Sequence, residues 1–76
     1  MVKIFLHAWL TDEYRHIGAA SEIPHFRGMT VGDVIKHADI LYDHLSLIVL
    51  DGLSVTSETT VNDGSRVDFY PHITAG

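Results

Sequence analysis

The sequence predicts an α+β fold: a mixed sheet of four to five strands packed on one main helix. Three observations predict it. Residues 2–8 alternate, with Val2, Ile4, Leu6 and Ala8 on one face and Lys3, Phe5 and His7 on the other. Residues 66–70 alternate again, Val67 and Phe69 opposing Arg66, Asp68 and Tyr70. Between them lies one long apolar stripe at helical spacing. A chain of 76 residues buries only about 60% of its unfolded surface, so a compact two-layer core suits it.

The first strand is expected to cover residues 2–8. In residues 9–16, Leu10, Tyr14 and Ile17 are spaced as on one side of a helical turn, and Asp12 and Glu13 suit a helix start. A long loop and a short helix both fit. Residues 18–21 read as a turn. Residues 22–26 read as a second strand, which Pro24 confines to an edge or a bulge.

Thr30 is a good helix N-cap, and Asp33 three residues on fits a capping box. Val31, Val34, Ile35, Ala38, Leu41, Tyr42 and Leu45 continue at steps of three and four, so the helix is expected over 31–44. Residues 47–50 are a short apolar strand, and Asp51-Gly52 is a hairpin turn into a return strand over 53–55. Residues 57–60 are loop, and Val61 fills the core. Asp63-Gly64 turns the chain into the last strand. Pro71, with no N–H to donate, ends that ladder. Residues from about 72 to 76 form a short flexible tail on a single domain, 1–76. The order β–β–α–β–(β)–β works if the first and last strands lie side by side in mid-sheet.

Composition narrows the function classes. The formal charge is −5, with no Lys/Arg cluster to neutralise phosphates, so nucleic acid is a poor partner. An acidic surface suits a basic partner and solubility equally. No stretch is long and apolar enough to span a membrane, and the start lacks a signal-peptide pattern. No cysteine is present, which excludes disulfides, thiolate metal sites and a cysteine nucleophile and fits a reducing compartment.

The order of motifs resembles the ubiquitin-like β-grasp sulfur carriers, which include the molybdopterin synthase small subunit and the thiamine-pathway carrier. Val2-Lys3-Ile4-Phe5-Leu6 with Ala8-Trp9-Leu10 is similar to the opening of the molybdopterin synthase subunit, the nearer of the two. Met29-Thr30-Val31-Gly32-Asp33-Val34-Ile35 resembles the family's helix start. Ile48-Val49-Leu50-Asp51-Gly52 stands where the family has an apolar strand ending in Asn-Gly. Val61-Asn62-Asp63-Gly64-Ser65-Arg66-Val67-Asp68-Phe69-Tyr70-Pro71 is similar to the family's Asp-Gly-acidic-x-Val, aromatic, Pro signature.

The resemblance implies a ubiquitin-like β-grasp fold and a cytoplasmic carrier that is not itself an enzyme. It implies that the Gly76 carboxylate is adenylated by an activating enzyme, which uses the ATP, and becomes a thiocarboxylate. The sulfur then goes to a synthase large subunit or another acceptor enzyme, in molybdopterin or thiamine-type cofactor synthesis. The carrier binds no cofactor. Ile73, Thr74 and Ala75 would be the arm inserted into partner sites. Two positions depart from the pattern: Ala75 replaces the first of two glycines, and His72 stands where a second Pro is common. A ubiquitin-like interaction module or regulatory subunit that has lost the carrier role is the alternative.

Phe5, His7 and Tyr70 share the outer sheet face if the first and last strands pair. With His72 they form a candidate partner patch. Asp12, Glu13 and Asp51 sit in turn or capping contexts, and no Ser-His-Asp pattern or phosphate loop accompanies them. The six histidines are dispersed. His37 and His44 would lie about 10 Å apart along a helix, too far for one ion, so no metal site is expected.

Overall fold

A computed structural model describes residues 1–72. The elements are β1 (Val2–Leu6), α1 (Leu10–Glu13), β2 (Ala20–Ile23), α2 (Val31–His37), a 3-10 turn (Tyr42–His44), β3 (Leu45–Leu50), β4 (Leu53–Ser54) and β5 (Arg66–Pro71). The strands form one mixed sheet in the order β2-β1-β5-β3-β4. The first and last strands are parallel neighbours, with Ile4 opposite Val67 and Leu6 opposite Phe69. β3 runs antiparallel on the other side of β5, with Ile48 opposite Phe69.

Register explains the core. Val2, Ile4 and Leu6 of β1, Val67 and Phe69 of β5, and Ile48 and Leu50 of β3 turn inward to one hydrophobic cluster. Val31, Val34 and Ile35 of α2, with Leu10, Tyr14, Met29 and Val61, close it from the other side. The Asp51-Gly52 hairpin has positive φ at both positions (48° and 87°), the geometry that matches strand twist. Asp51 also accepts the Arg66 amide at 2.8 Å and so pins the start of β5. Asp63, at the turn before it, pairs its carboxylate with the Met1 ammonium.

The N-terminus of α2 follows its sequence. The Thr30 hydroxyl accepts from the Asp33 amide at 3.2 Å, and the Asp33 carboxylate accepts from the Thr30 amide at 2.9 Å. That second bond holds the Asp33 carboxyl below its ordinary range. A seven-residue helix is too short to persist alone. Thr30→Ala is therefore expected to cost about 1 kcal/mol, read as a lower urea midpoint at unchanged slope. Thr30→Ser should recover most of it.

Several boundaries differ from the sequence reading. α2 stops at His37, not at residue 44. Asp39 enters the left-handed region (φ 57°). The Asp39 amide then bonds the Lys36 carbonyl and the Ile40 amide the Ile35 carbonyl, both at 3.1 Å. This is a Schellman stop with Asp in the position that glycine usually takes, and the apolar residue after it, Ile40, is buried. Leu41 and Tyr42, placed on the core stripe by their spacing, are 63% and 54% exposed. Leu45 is buried, but from β3. β1 ends at Leu6, because Ala8 takes φ 53° and leaves the core face for solvent. β2 covers Ala20–Ile23 and ends just before Pro24, so Ala20 and Ser21 are strand, not turn. Pro71 is the last residue of β5, paired with Leu45, so the ladder ends one residue later than expected.

Candidate functional site

The parallel register of β1 and β5 puts Lys3 beside Arg66 and Phe5 beside Asp68 on the face away from the helix. Phe5, His7 and Tyr70 do share that face. His7 and Tyr70 stack with centroids 4.2 Å apart and planes 4° from parallel. The Arg66 guanidinium lies 3.9 Å over the Phe5 ring, within the range of a cation–π contact.

Asp68 ties the two aromatic pairs together. Its carboxylate takes a forked pair from Arg66, Nε at 2.9 Å and Nη2 at 3.0 Å. The His7 Nε2–H donates to the same carboxylate at 2.8 Å. The Asp68 side chain is only 8% exposed. The Arg66 bonds, joined by His7, hold its carboxyl below the usual carboxylate range against the opposing effect of burial. Asp68 in turn pushes the Arg66 guanidinium further from deprotonation. A carboxylate that accepts from both neighbours fixes their side chains. The face therefore presents a set arrangement of ring, guanidinium and imidazole. The sequence placed Asp68 and Arg66 on this face but did not single them out. Their spacing of two residues on one face of one strand was the available signal.

At the end of β5 the chain passes from Pro71 to His72. A hollow of about 510 Å³ opens there. The turn after β1 gives it Ala8 and Trp9, the bulged start of β3 gives Ser46 and Leu47, and the strand end gives Tyr70, Pro71 and His72. The Trp9 indole N–H donates to the His72 carbonyl at 3.1 Å. Behind Trp9, His44 meets the indole edge-on at 5.2 Å. The Tyr14 hydroxyl joins His44 Nδ1 at 2.7 Å and accepts from the Leu41 amide at 3.0 Å. Trp9 has no site role in the sequence reading, and nothing in its spacing signals one.

Ile73, Thr74, Ala75 and Gly76 lie outside the described residues. Among the described residues no three His, Asp or Glu side chains converge on one point, and no helix is long and apolar enough to cross a membrane.

No protein-family profile matches this sequence, and no curated protein does. Solved structures do. One crystal structure of small archaeal modifier protein 1 of Haloferax volcanii superposes with a TM-score of 0.80 at 16% identity, covering 95% of this chain and 97% of that one. A second structure of SAMP1 from the same organism gives 0.78 at 17% identity, covering 99% and 98%. A Pyrococcus furiosus protein described as molybdopterin converting factor subunit 1 gives 0.76 at 19% identity, covering 95% and 97%. At such identities the likeness is one of architecture, and it extends over nearly the whole of each chain. The chain has the ubiquitin-like β-grasp fold that this archaeal modifier and this converting-factor subunit share.

Proposed function

We propose that the chain is a sulfur carrier that acts through partner enzymes and performs no catalysis of its own. In this reading the Gly76 carboxylate is adenylated by an activating enzyme and converted to a thiocarboxylate. The observation that carries the reading is where β5 leads. It lies between β1 and β3 in mid-sheet, and it delivers His72 to the sheet end with its carbonyl held by Trp9. Four further residues reach at most about 14 Å, enough for the last carboxylate to enter a partner's active site while the domain stays outside.

The chemistry needs little from the carrier. A carboxylate is a poor electrophile. Its mixed anhydride with AMP has a good leaving group, and sulfur can then replace oxygen at the acyl carbon. Glycine at position 76 leaves no Cβ to clash in a narrow channel. The partner supplies ATP and catalysis, and the carrier supplies a positioned group. The fixed outer face of Phe5, His7 and Tyr70, with His72 and residues 73–75, is the surface offered to the activating enzyme and to a synthase large subunit or other acceptor. In this reading the carrier works in the cytoplasm, a reducing compartment that a cysteine-free chain suits. The descriptions of the two neighbours, a modifier and a converting-factor subunit, both support a protein that acts through partners.

Intact-protein mass spectrometry tests the reading. The chain is incubated with ATP, a sulfur source and an activating enzyme from the same organism. An oxygen-to-sulfur mass gain in the C-terminal peptide, abolished by deleting Gly76, is expected. No gain overturns it. Ala75 favours a second reading, a ubiquitin-like interaction module without carrier chemistry. A large gain in activation on Ala75→Gly would support that one.

A further inference from the structure

We infer that Lys3 and Arg66 form a carboxylate-binding pair on the outer sheet face, which takes an Asp or Glu side chain of the activating enzyme. The inference rests on the reading of that face as the partner surface. It adds two residues to the surface and a charge to the partner.

The fold makes the pair. The chain has five Lys and Arg residues against a formal charge of −5. Two of the five, at opposite ends of the sequence, become neighbours because β1 and β5 run parallel with Lys3 beside Arg66. Neighbouring strands lie about 4.8 Å apart, and like charges that close repel. Core packing does not account for the arrangement, since Lys3 is exposed and the Arg66 side chain is half-exposed.

The acids nearby leave both cations with capacity. A guanidinium has five N–H donors, and the Asp68 fork uses one on Nε and one on Nη2. Nη1 has no protein acceptor among the described residues. The fork and the Phe5 ring hold the guanidinium in place, so its free edge is set in advance for a planar carboxylate. Lys3 belongs to none of the ion pairs among the described residues, which are Met1–Asp63, His7–Asp68 and Arg66–Asp68. Glu22 faces Lys3 across the β1–β2 register without pairing with it, and a shallow hollow of about 360 Å³ opens between β1 and β2 there. An acidic side chain lowered onto this row meets Lys3 from one strand and Arg66 from the other. It offsets their mutual repulsion, which nothing on the face does.

Charge reversal tests the pair. In ATP–pyrophosphate exchange with the activating enzyme, Lys3→Glu should raise KM for the carrier about three- to tenfold. Lys36→Glu makes the same charge change on α2, away from the sheet face, and should stay within about twofold. Raising NaCl from about 0.05 M to about 0.5 M should close most of the gap, because screening acts on exposed charges. Equal KM for the two variants overturns the inference and leaves the carrier reading standing. If the unmodified chain is not activated at all, the carrier reading fails, and an NMR titration decides whether the pair binds carboxylate. Acetyl-tetraglutamate amide at low salt should shift the Lys3, Phe5 and Arg66 amides saturably in the wild type and not in Lys3→Glu. Equal shifts in both, or none in either, overturn the inference.

Discussion

Phe69→Ala is expected to leave the chain largely unfolded at physiological temperature. Phe69 is fully buried on the central strand, opposite Leu6 of β1 and Ile48 of β3. Removing a buried phenylalanine side chain costs about 3–5 kcal/mol, the transfer loss plus the cavity left behind. A domain of this length has about 4–11 kcal/mol in total, scaled from the usual stability per residue. The loss therefore consumes most of the margin, or all of it. The cavity term is large because both neighbouring strands are pinned by their own ladders and cannot collapse inward. Phe69→Leu, which keeps most of the volume, should cost about 1.5 kcal/mol or less. Urea unfolding followed by circular dichroism separates the two. A Phe69→Ala midpoint close to wild type would show that this side of the core relaxes freely, and that the sheet's middle is not its rigid part.

The second large effect falls on the outer face. Asp68→Asn is expected to destabilise by about 1–2 kcal/mol at pH 7. Hydrogen bonds to a buried charged group are worth about 1.5–3 kcal/mol, and the 53% exposure of Arg66 lowers that through solvent screening. The sign of the pH dependence follows from the direction of the shift. The folded-state pKa of Asp68 lies below its unfolded value. Its contribution is therefore complete above the unfolded carboxylate range, about pH 3.9, and is lost as pH falls through the folded value. Asp33 and Asp63 are shifted the same way, so wild type alone cannot isolate Asp68. The difference between wild type and Asp68→Asn can. Melting temperatures from pH 7 to pH 2.5 should converge below about pH 4. A constant gap down to pH 2.5 would mean that shape, not ionisation, is what the substitution disturbs. The variant should also loosen the His7–Tyr70 stack, since His7 loses the carboxylate that orients it.

Strand alternation made the first and last strands legible, because each has one face in a core and one outside. The capped start of α2 was legible for a local reason: Thr30 and Asp33 satisfy each other's backbone whatever surrounds them. The end of α2 was not. Leu41, Tyr42 and Leu45 keep helical spacing, but they sit in a connecting loop, a 3-10 turn and a strand. The stop depends on Asp39 in a left-handed conformation, and aspartate advertises that far less than glycine does. The outer face was half legible. Alternation put Phe5, His7 and Tyr70 together once β1 and β5 were paired, but the bond from His7 to Asp68 depends on a register that only the folded chain fixes. Trp9 was not legible, because its partner is a backbone carbonyl, and every residue has one.

The parallel pairing of β1 with β5 has a kinetic consequence. Lys3 meets Arg66, so the middle of the sheet forms only after a loop of about 60 residues has closed, at roughly 4 kcal/mol of chain entropy before any constant term. The local hairpins, β1 with β2 and β3 with β4, close shorter loops at lower entropic cost, but alone they leave β1 and β3 each with an open edge. Open edges recruit other chains. A copy interrupted before Arg66 on the ribosome is then a sticky fragment, recognisable to proteases and chaperones by its unpaired strands. Becoming folded and owning β5 are one event, so the folding reaction itself acts as a check on the length of the chain.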